Sequence, residues 1–332
     1  MKKLLATAVG TLSLAVVFAI AQDNPSTVEV TDVRGSKHVV VGFDNGWESG
    51  RSVFAGLPFI DVNGPLFSSK AMQTLVTVEL HTPEDQAKIR KVAAARGIRG
   101  TDFELLHTVL LIPQPSLDVI TFTQQKVGEK VETRSVIRLA GGKPFEGGGG
   151  FGYPHGKESL GSLGTANFEA DFSNIKAIRS LAPVPFVGDF AMLGTAEVPF
   201  RAKVTDTAGE VIVLKGLYCD TGQYVAGENR RGGASIGTRV GFTPNLAVVI
   251  SGVTKLSIPP SKLRTIILGQ TNFHDYGFDA KATLRTGEKM DLTVVPAGGS
   301  GIYVPSGILG ASAKGFVWIP WYAVASIEFD DQ

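Results

Sequence analysis

Asp220-Thr221-Gly222 is the segment of this chain best suited to chemistry, an acid, a hydroxyl and a glycine in succession directly after the apolar Leu217-Tyr218-Cys219. A carboxylate held at such a turn can share a proton with a second carboxylate, so that one activates water while the other protonates a carbonyl oxygen. One triplet supplies one carboxylate, so this chemistry would require a homodimer. The same residues also make an ordinary turn, because Asp caps it and Gly accepts a positive φ.

The other reactive residue types offer less. His38, His81, His107, His155 and His274 are scattered, with no pair at metal-ligand spacing. They read as surface or hydrogen-bonded histidines, and neither a metal nor a cofactor is expected. Asp44-Asn45-Gly46 and Asp61-Val62-Asn63-Gly64 open like calcium loops but do not continue as one, and read as turns. No Gly-x-Ser-x-Gly is present, and Cys219, the single cysteine, excludes an intrachain disulfide and reads as a small apolar residue. The glycine-rich run around Gly147-Gly148-Gly149-Gly150 lacks the Gly-Lys-Ser/Thr ending of a phosphate loop and reads as a mobile surface loop. Phe316 and Trp318 fall on one face of a strand in Phe316-Val317-Trp318-Ile319-Pro320-Trp321-Tyr322. They are the candidate ligand-binding residues for a sugar or a partner protein, with interdomain packing the preferred reading of the same rings.

The elements that must position these residues are mostly strands, since the apolar runs are short, often alternate, and are separated by many of the 40 glycines. One helix stands out between Thr82 and Gly97, with a capping Thr, Pro83 at its first position, Glu84 and Asp85 in its first turn and a Gly stop. Arg90, Lys91 and Arg96 form a basic rim that reads as a solvated face rather than an anion site. Phe200 to Glu210 aligns without gaps on Phe278 to Glu288, each predicting a hairpin that turns at Ala208-Gly209 or Thr286-Gly287. Each copy is expected to close with a matching strand, Leu256 to Ile266 for the first and Val317 to Ile327 for the second, both carrying Ile-Pro before further apolar residues. A fainter ending lies at Phe168 to Ile178.

Over residues 165–332 this strand-Gly-strand and Ile-Pro-x-x-x-Leu/Ile-x-x-Ile pattern resembles uncharacterised exported bacterial β-repeat proteins, which implies export and β architecture and no assigned reaction. The Asp-Thr-Gly triplet resembles that of retropepsin-like aspartic peptidases, and Ile266-Ile267-Leu268-Gly269 resembles their apolar-apolar-Gly strand. Gln223 departs from the Ala or Ser usual after that triplet, and the repeat places Asp220 opposite Gly298 in a Gly-rich turn.

The first residues read as a cleavable signal peptide: Lys2-Lys3, an apolar run from Leu4 to Phe18, and Ala19-Ile20-Ala21 before polar Gln22. Loss of Lys2 and Lys3 takes 32 basic residues to 30 against 31 acidic, so there is no net field to attract nucleic acid or an anionic membrane. The expected protein is mainly β, with tandem small antiparallel modules, sandwich or barrel-like, and an N-terminal α+β segment containing one helix. The expected divisions are a signal peptide over 1–21, an α+β segment over 22–115, a Gly-rich β segment over 116–185, and β-modules over 186–275 and 276–332. Secretion or periplasmic residence, no membrane span after cleavage, and an envelope protein or polysaccharide as partner complete the expectation. Its role would be non-catalytic interaction or structure.

Overall fold

Short alternating runs and frequent glycine turns make the protein mainly β, with antiparallel sheets and, among the described residues, a single helix. The computed structural model describes residues 27–44, 75–97, 108–149, 158–163, 166–190, 200–220, 224–228, 234–238, 242–243, 246–250, 254–272, 277–294 and 307–330. The expected signal peptide lies outside them.

The N-terminal half comprises β1 (Thr27–Asp32), β2 (Lys37–Asp44), β3 (Leu75–Glu79), α1 (Pro83–Ala95), β4 (Val109–Pro113), β5 (Leu117–Val127), β6 (Lys130–Leu139), β7 (Phe145–Gly147), β8 (Glu158–Leu163), β9 (Ala166–Asp171) and β10 (Ile175–Ser180). The C-terminal half begins with β11 (Arg201–Asp206), β12 (Val211–Asp220), β13 (Tyr224–Glu228), β14 (Ala234–Thr238), β15 (Phe242–Thr243), β16 (Leu246–Ile250) and β17 (Thr254–Ile258). It ends with β18 (Leu263–Asn272), β19 (Gly277–Leu284), β20 (Lys289–Val294), β21 (Gly307–Ser312), β22 (Gly315–Pro320) and β23 (Val324–Phe329). One sheet runs β7-β6-β5-β10-β1-β2-β8-β9. The larger runs β17-β16-β20-β19-β18-β23-β11-β12-β21-β22-β4-β3, with β15 beside β12, and β13 pairs with β14 in a two-stranded sheet.

One corner, used four times among the described residues, organises both sheets. A strand ends, a single 3₁₀ turn follows (Gln114–Ser116, Phe172–Asn174, Pro260–Lys262, Trp321–Ala323), and a second strand leaves it. Leu117, Ile175, Leu263 and Val324, the first residues after these turns, and Ile120, Ile178, Ile266 and Ile327, three positions later, are all buried. Fully burying such a side chain contributes about 1.5–3 kcal/mol, so the corner's apolar spacing is a main source of core stability. The corner at Ile112-Pro113-Gln114-Pro115-Ser116-Leu117-Asp118-Val119-Ile120 carries the Ile-Pro-x-x-x-Leu-x-x-Ile pattern upstream of the region where the sequence repeat is evident.

Each corner closes on a strand that ends in a glycine turn. Gly35, Gly209 and Gly287 take φ values of 89°, 92° and 91°. Their N–H groups donate to the carbonyls of Asp32, Asp206 and Leu284 respectively. The next residue, Val33, Thr207 or Arg285, donates to the carbonyl ending a 3₁₀ turn, that of Asn174, Ala323 or Lys262. In the fourth copy, Gly142 donates to Leu139 and Ala140 to Ser116. The register agrees in all four: Val30, Ile137, Val204 and Ala282 face Ile178, Ile120, Ile327 and Ile266.

The closing strands are exchanged relative to sequence order. The hairpin at Ala208-Gly209 is closed by β23, and that at Thr286-Gly287 by the earlier β18. In each half one such unit is therefore inserted inside the other. The two units meet through their post-corner strands, Ile120 facing Ile178 in one sheet and Ile266 facing Ile327 in the other, as an approximate twofold requires.

Candidate functional site

His81 is carried from β3 by Leu80 and sits immediately before Thr82, whose side chain caps α1 by accepting from the Asp85 N–H. With strand and helix fixed on either side, the imidazole is held in the interior, 1 % exposed. Opposite it lies the β11–β12 turn. Asp206 Oδ1 accepts from the N–H groups of Ala208 and Glu210, which fixes the turn. Its Oδ2 lies 2.9 Å from His81 Nε2, and Glu210 Oε2 lies 3.4 Å from His81 Nδ1. Both are close ion-pair contacts rather than well-formed hydrogen bonds. Lys314, in the β21–β22 turn, donates to Glu210 Oε1 at 2.8 Å, with its ammonium 5.3 Å from the Phe145 ring centroid.

The electrostatics follow from this placement. Burial pulls the His81 imidazolium toward its neutral form, but the Asp206 and Glu210 carboxylates outweigh it and push the pKa up to about 9. The His81 contact, opposed by burial and aided by Lys314, holds Glu210 down at about 2. Glu79, at the end of β3, moves the other way: burial raises it to about 7, against the pull of Arg90, the Gly149 N–H and His81.

The glycine run packs against this cluster. Gly147 and Gly148 are buried, Gly148 N–H donates to the Glu79 carbonyl, and Glu79 N–H donates to that of Gly149. A Cβ at Gly148 would lie 2.5 Å from the His81 carbonyl oxygen and 2.6 Å from Glu79 Oε2. The expectation of a mobile surface loop is thus corrected for 147–149. Glycine is needed there for close approach of backbone to backbone rather than for freedom of motion.

Arg96 is a second fastener. It caps the C-terminus of α1, and its guanidinium donates to the carbonyls of Tyr322, Val324 and Leu268 at 3.2, 2.7 and 3.2 Å. Its own carbonyl accepts from the Thr271 N–H at 3.0 Å. Burial lowers its pKa. Arg90 and Lys91 are exposed, as a solvated rim requires, whereas Arg96 belongs to the junction with β18 and β23.

His81, Asp206 and Glu210 each offer a ligand atom within 4.8 Å of the others, so a divalent cation has to be weighed against a proton. A metal ion would need to lie about 2.0–2.2 Å from one nitrogen and from the carboxylate oxygens together. Here the two carboxylates attend different ring nitrogens, and Lys314 engages Glu210. The arrangement suits a doubly protonated imidazole better than a metal, and the cluster's plain capacity is to hold a proton where two halves of the chain meet.

The sequence-predicted residues fall elsewhere. Asp220 ends β12 opposite Phe242, while Thr221 and Gly222 lie outside the described residues. The strand beside β12 is β21, which places Tyr218 and Cys219 opposite Leu309 and Ile308. The expected partner, Ile266-Ile267-Leu268-Gly269, lies instead in β18, between β19 and β23. Phe316 and Trp318 are buried at 0 and 1 %, because β22 pairs with β4 and the rings enter the core. Phe316 meets Phe186 and Phe190 edge-on, with centroids 5.2 Å away in each case. His107, His155, His274 and the Asp61 turn lie outside the described residues. The His81 cluster joins positions 125 residues apart, for which no local spacing could have spoken. The one available signal was that Asp206 stands where the aligned copy has Leu284. Compared with known proteins, the chain matches no family model and no curated protein.

Proposed function

We propose that the protein is an exported, non-catalytic interaction or structural protein of the cell envelope or extracellular space, with an envelope protein or polysaccharide as partner. The observation that supports this reading is the use made of the buried ionisable groups. His81, Asp206 and Glu210 face one another, and Arg96 donates to backbone carbonyls; both sets fasten strands of one half to the other. Groups engaged in this way are turned inward, His81 and Asp206 each being 1 % exposed, rather than presented to a substrate at the surface. The test is incubation of the folded protein, from Gln22 onward, with a mixed peptide library from pH 3 to 8. Intact peptides are expected, and cleavage by the wild type would overturn the reading.

A second reading, a retropepsin-like peptidase using Asp220, is favoured by one specific feature. β12 runs beside a strand carrying Ile308-Leu309-Gly310, an apolar-apolar-Gly sequence next to the strand that ends in Asp220. β2 correspondingly ends in Asp44, ahead of Asn45-Gly46, and pairs with β8, which carries Leu160-Gly161. Peptidase activity lost in both Asp220→Asn and Asp44→Asn would favour a pair of carboxylates from one chain. Loss in Asp220→Asn alone would favour the homodimer.

A further inference from the structure

We infer that His81 is a proton-operated fastener: as the imidazolium it binds the β3–α1 corner of the N-terminal half to the β11–β12 turn of the C-terminal half, and loss of its proton releases that corner. This inference stands on the junction's geometry and is independent of whether Asp220 is catalytic.

Three observations carry it. The two ring nitrogens lie 2.9 and 3.4 Å from different carboxylates, so the cation faces negative charge on both sides while the neutral ring would have to turn a lone pair toward one of them. The imidazole is 1 % exposed and Asp206 also 1 %, so water cannot replace either partner without the corner opening. The corner's other polar ties to the C-terminal half, the pairing of β4 with β22, the Arg96 guanidinium on three carbonyls and the Thr271 N–H on the Arg96 carbonyl, are backbone or permanently charged contacts, so His81 is the titratable one among them.

The charges around the ring come from every element packed on it. β3 contributes Glu79, and α1 contributes Asp85 and, further out toward Asp206, Lys88. The β11–β12 turn contributes Asp206 and Glu210, and the β21–β22 turn contributes Lys314, already engaged by Glu210. Since the folded His81 titrates at about 9 against 6.5 when unfolded, its contribution is complete below about pH 6.5 and disappears as pH rises through 9. Glu79, at about 7 against 4.5, also favours the protonated fold, but its contribution is lost lower, between pH 4.5 and 7. Glu210 acts at the acid end, where its contribution is lost as pH falls from 4.5 through about 2. Of these three groups, His81 is the one that titrates between pH 7 and 9.

The test uses the full mature chain and its His81→Gln variant. Imidazole resonances are followed by NMR from pH 5 to 10, and urea midpoints are taken over the same range. One resonance, absent from the variant, should remain cationic until about pH 9. The wild-type midpoint should fall between pH 7 and 9 while that of the variant stays level. Amide exchange in α1, corrected for its intrinsic pH dependence, should rise about tenfold or more across the same interval. If His81→Gln fails to fold, Glu210→Gln serves instead and should lower the His81 titration midpoint in the folded protein. A His81 resonance titrating at or below 6.5, or one unmoved by Glu210→Gln, would overturn the inference. A Zn²⁺-induced rise in the midpoint that abolishes the titration would also overturn it, in favour of a metal.

Discussion

The two halves of the molecule thread their strands in the same order, yet differ at the segment joining the two strands before the inserted corner. In the C-terminal half β16 and β17 form a hairpin linked by residues 251–253. In the N-terminal half the corresponding β3 and β4 pair in the same way, but α1 lies between them. That segment brings His81 at its start and Arg96 at its end, two side chains that reach across to the other half. β22 completes the difference, since it pairs with β4, whereas its counterpart β9 ends its sheet. A recurring corner thus builds both sheets, and the segment particular to the N-terminal copy carries contacts that join them.

The sharpest way to break this comparison is to empty the joint. Trp318→Ala removes a buried ring beside β4 and should cost about 3–5 kcal/mol in urea unfolding. A cost under about 1 kcal/mol would mean that β22 does not depend on the N-terminal half. The two equivalent turn aspartates separate next. Asp206→Ala strands a buried imidazolium and should cost about 3–5 kcal/mol at pH 6. Asp32→Ala removes the same turn acceptor, but its carboxylate lies 3.7 Å from a partly exposed His38, so a clearly smaller loss is expected. Equal losses would show that Asp206 serves only its own turn. The smallest effect is electrostatic. Glu79→Gln removes a carboxyl raised to about 7, so the decline of wild-type stability between pH 4.5 and 7 should become shallower in the variant. An unchanged slope would place the titrating group elsewhere.

Local features were legible in the sequence where local physics decides them. The helix caps at Thr82, Pro83 and Gly97, and the turns at Gly209 and Gly287, stand where residue type predicted them. The Ile-Pro corner was also readable, and its copy at Ile112 to Ile120 carries the same pattern outside the region over which the repeat is read. The exchange of β18 and β23 was not readable, because Ile266 and Ile327 have the same spacing and burial and either could close either hairpin. Gly147 and Gly148 misled for a related reason, since composition does not distinguish a glycine that must move from one that must make room. The His81 cluster was invisible because its members come from different halves, and only the register of paired strands brings them together.

The nested closure of the units also sets an order of events during synthesis. Within the C-terminal half, β16 to β20 follow one another and can pair as soon as they are made, and β11 can pair at once with β12, but its other edge must wait for β23. That last strand then enters not at an edge but between β18 and β11, in the interior of the larger sheet. Contacts this distant along the chain form slowly, so the edges of β18 and β11 that β23 joins are the ones left unpaired until it is made. The segment from Val324 to Phe329 works as a keystone, cut last and placed at the centre of the arch.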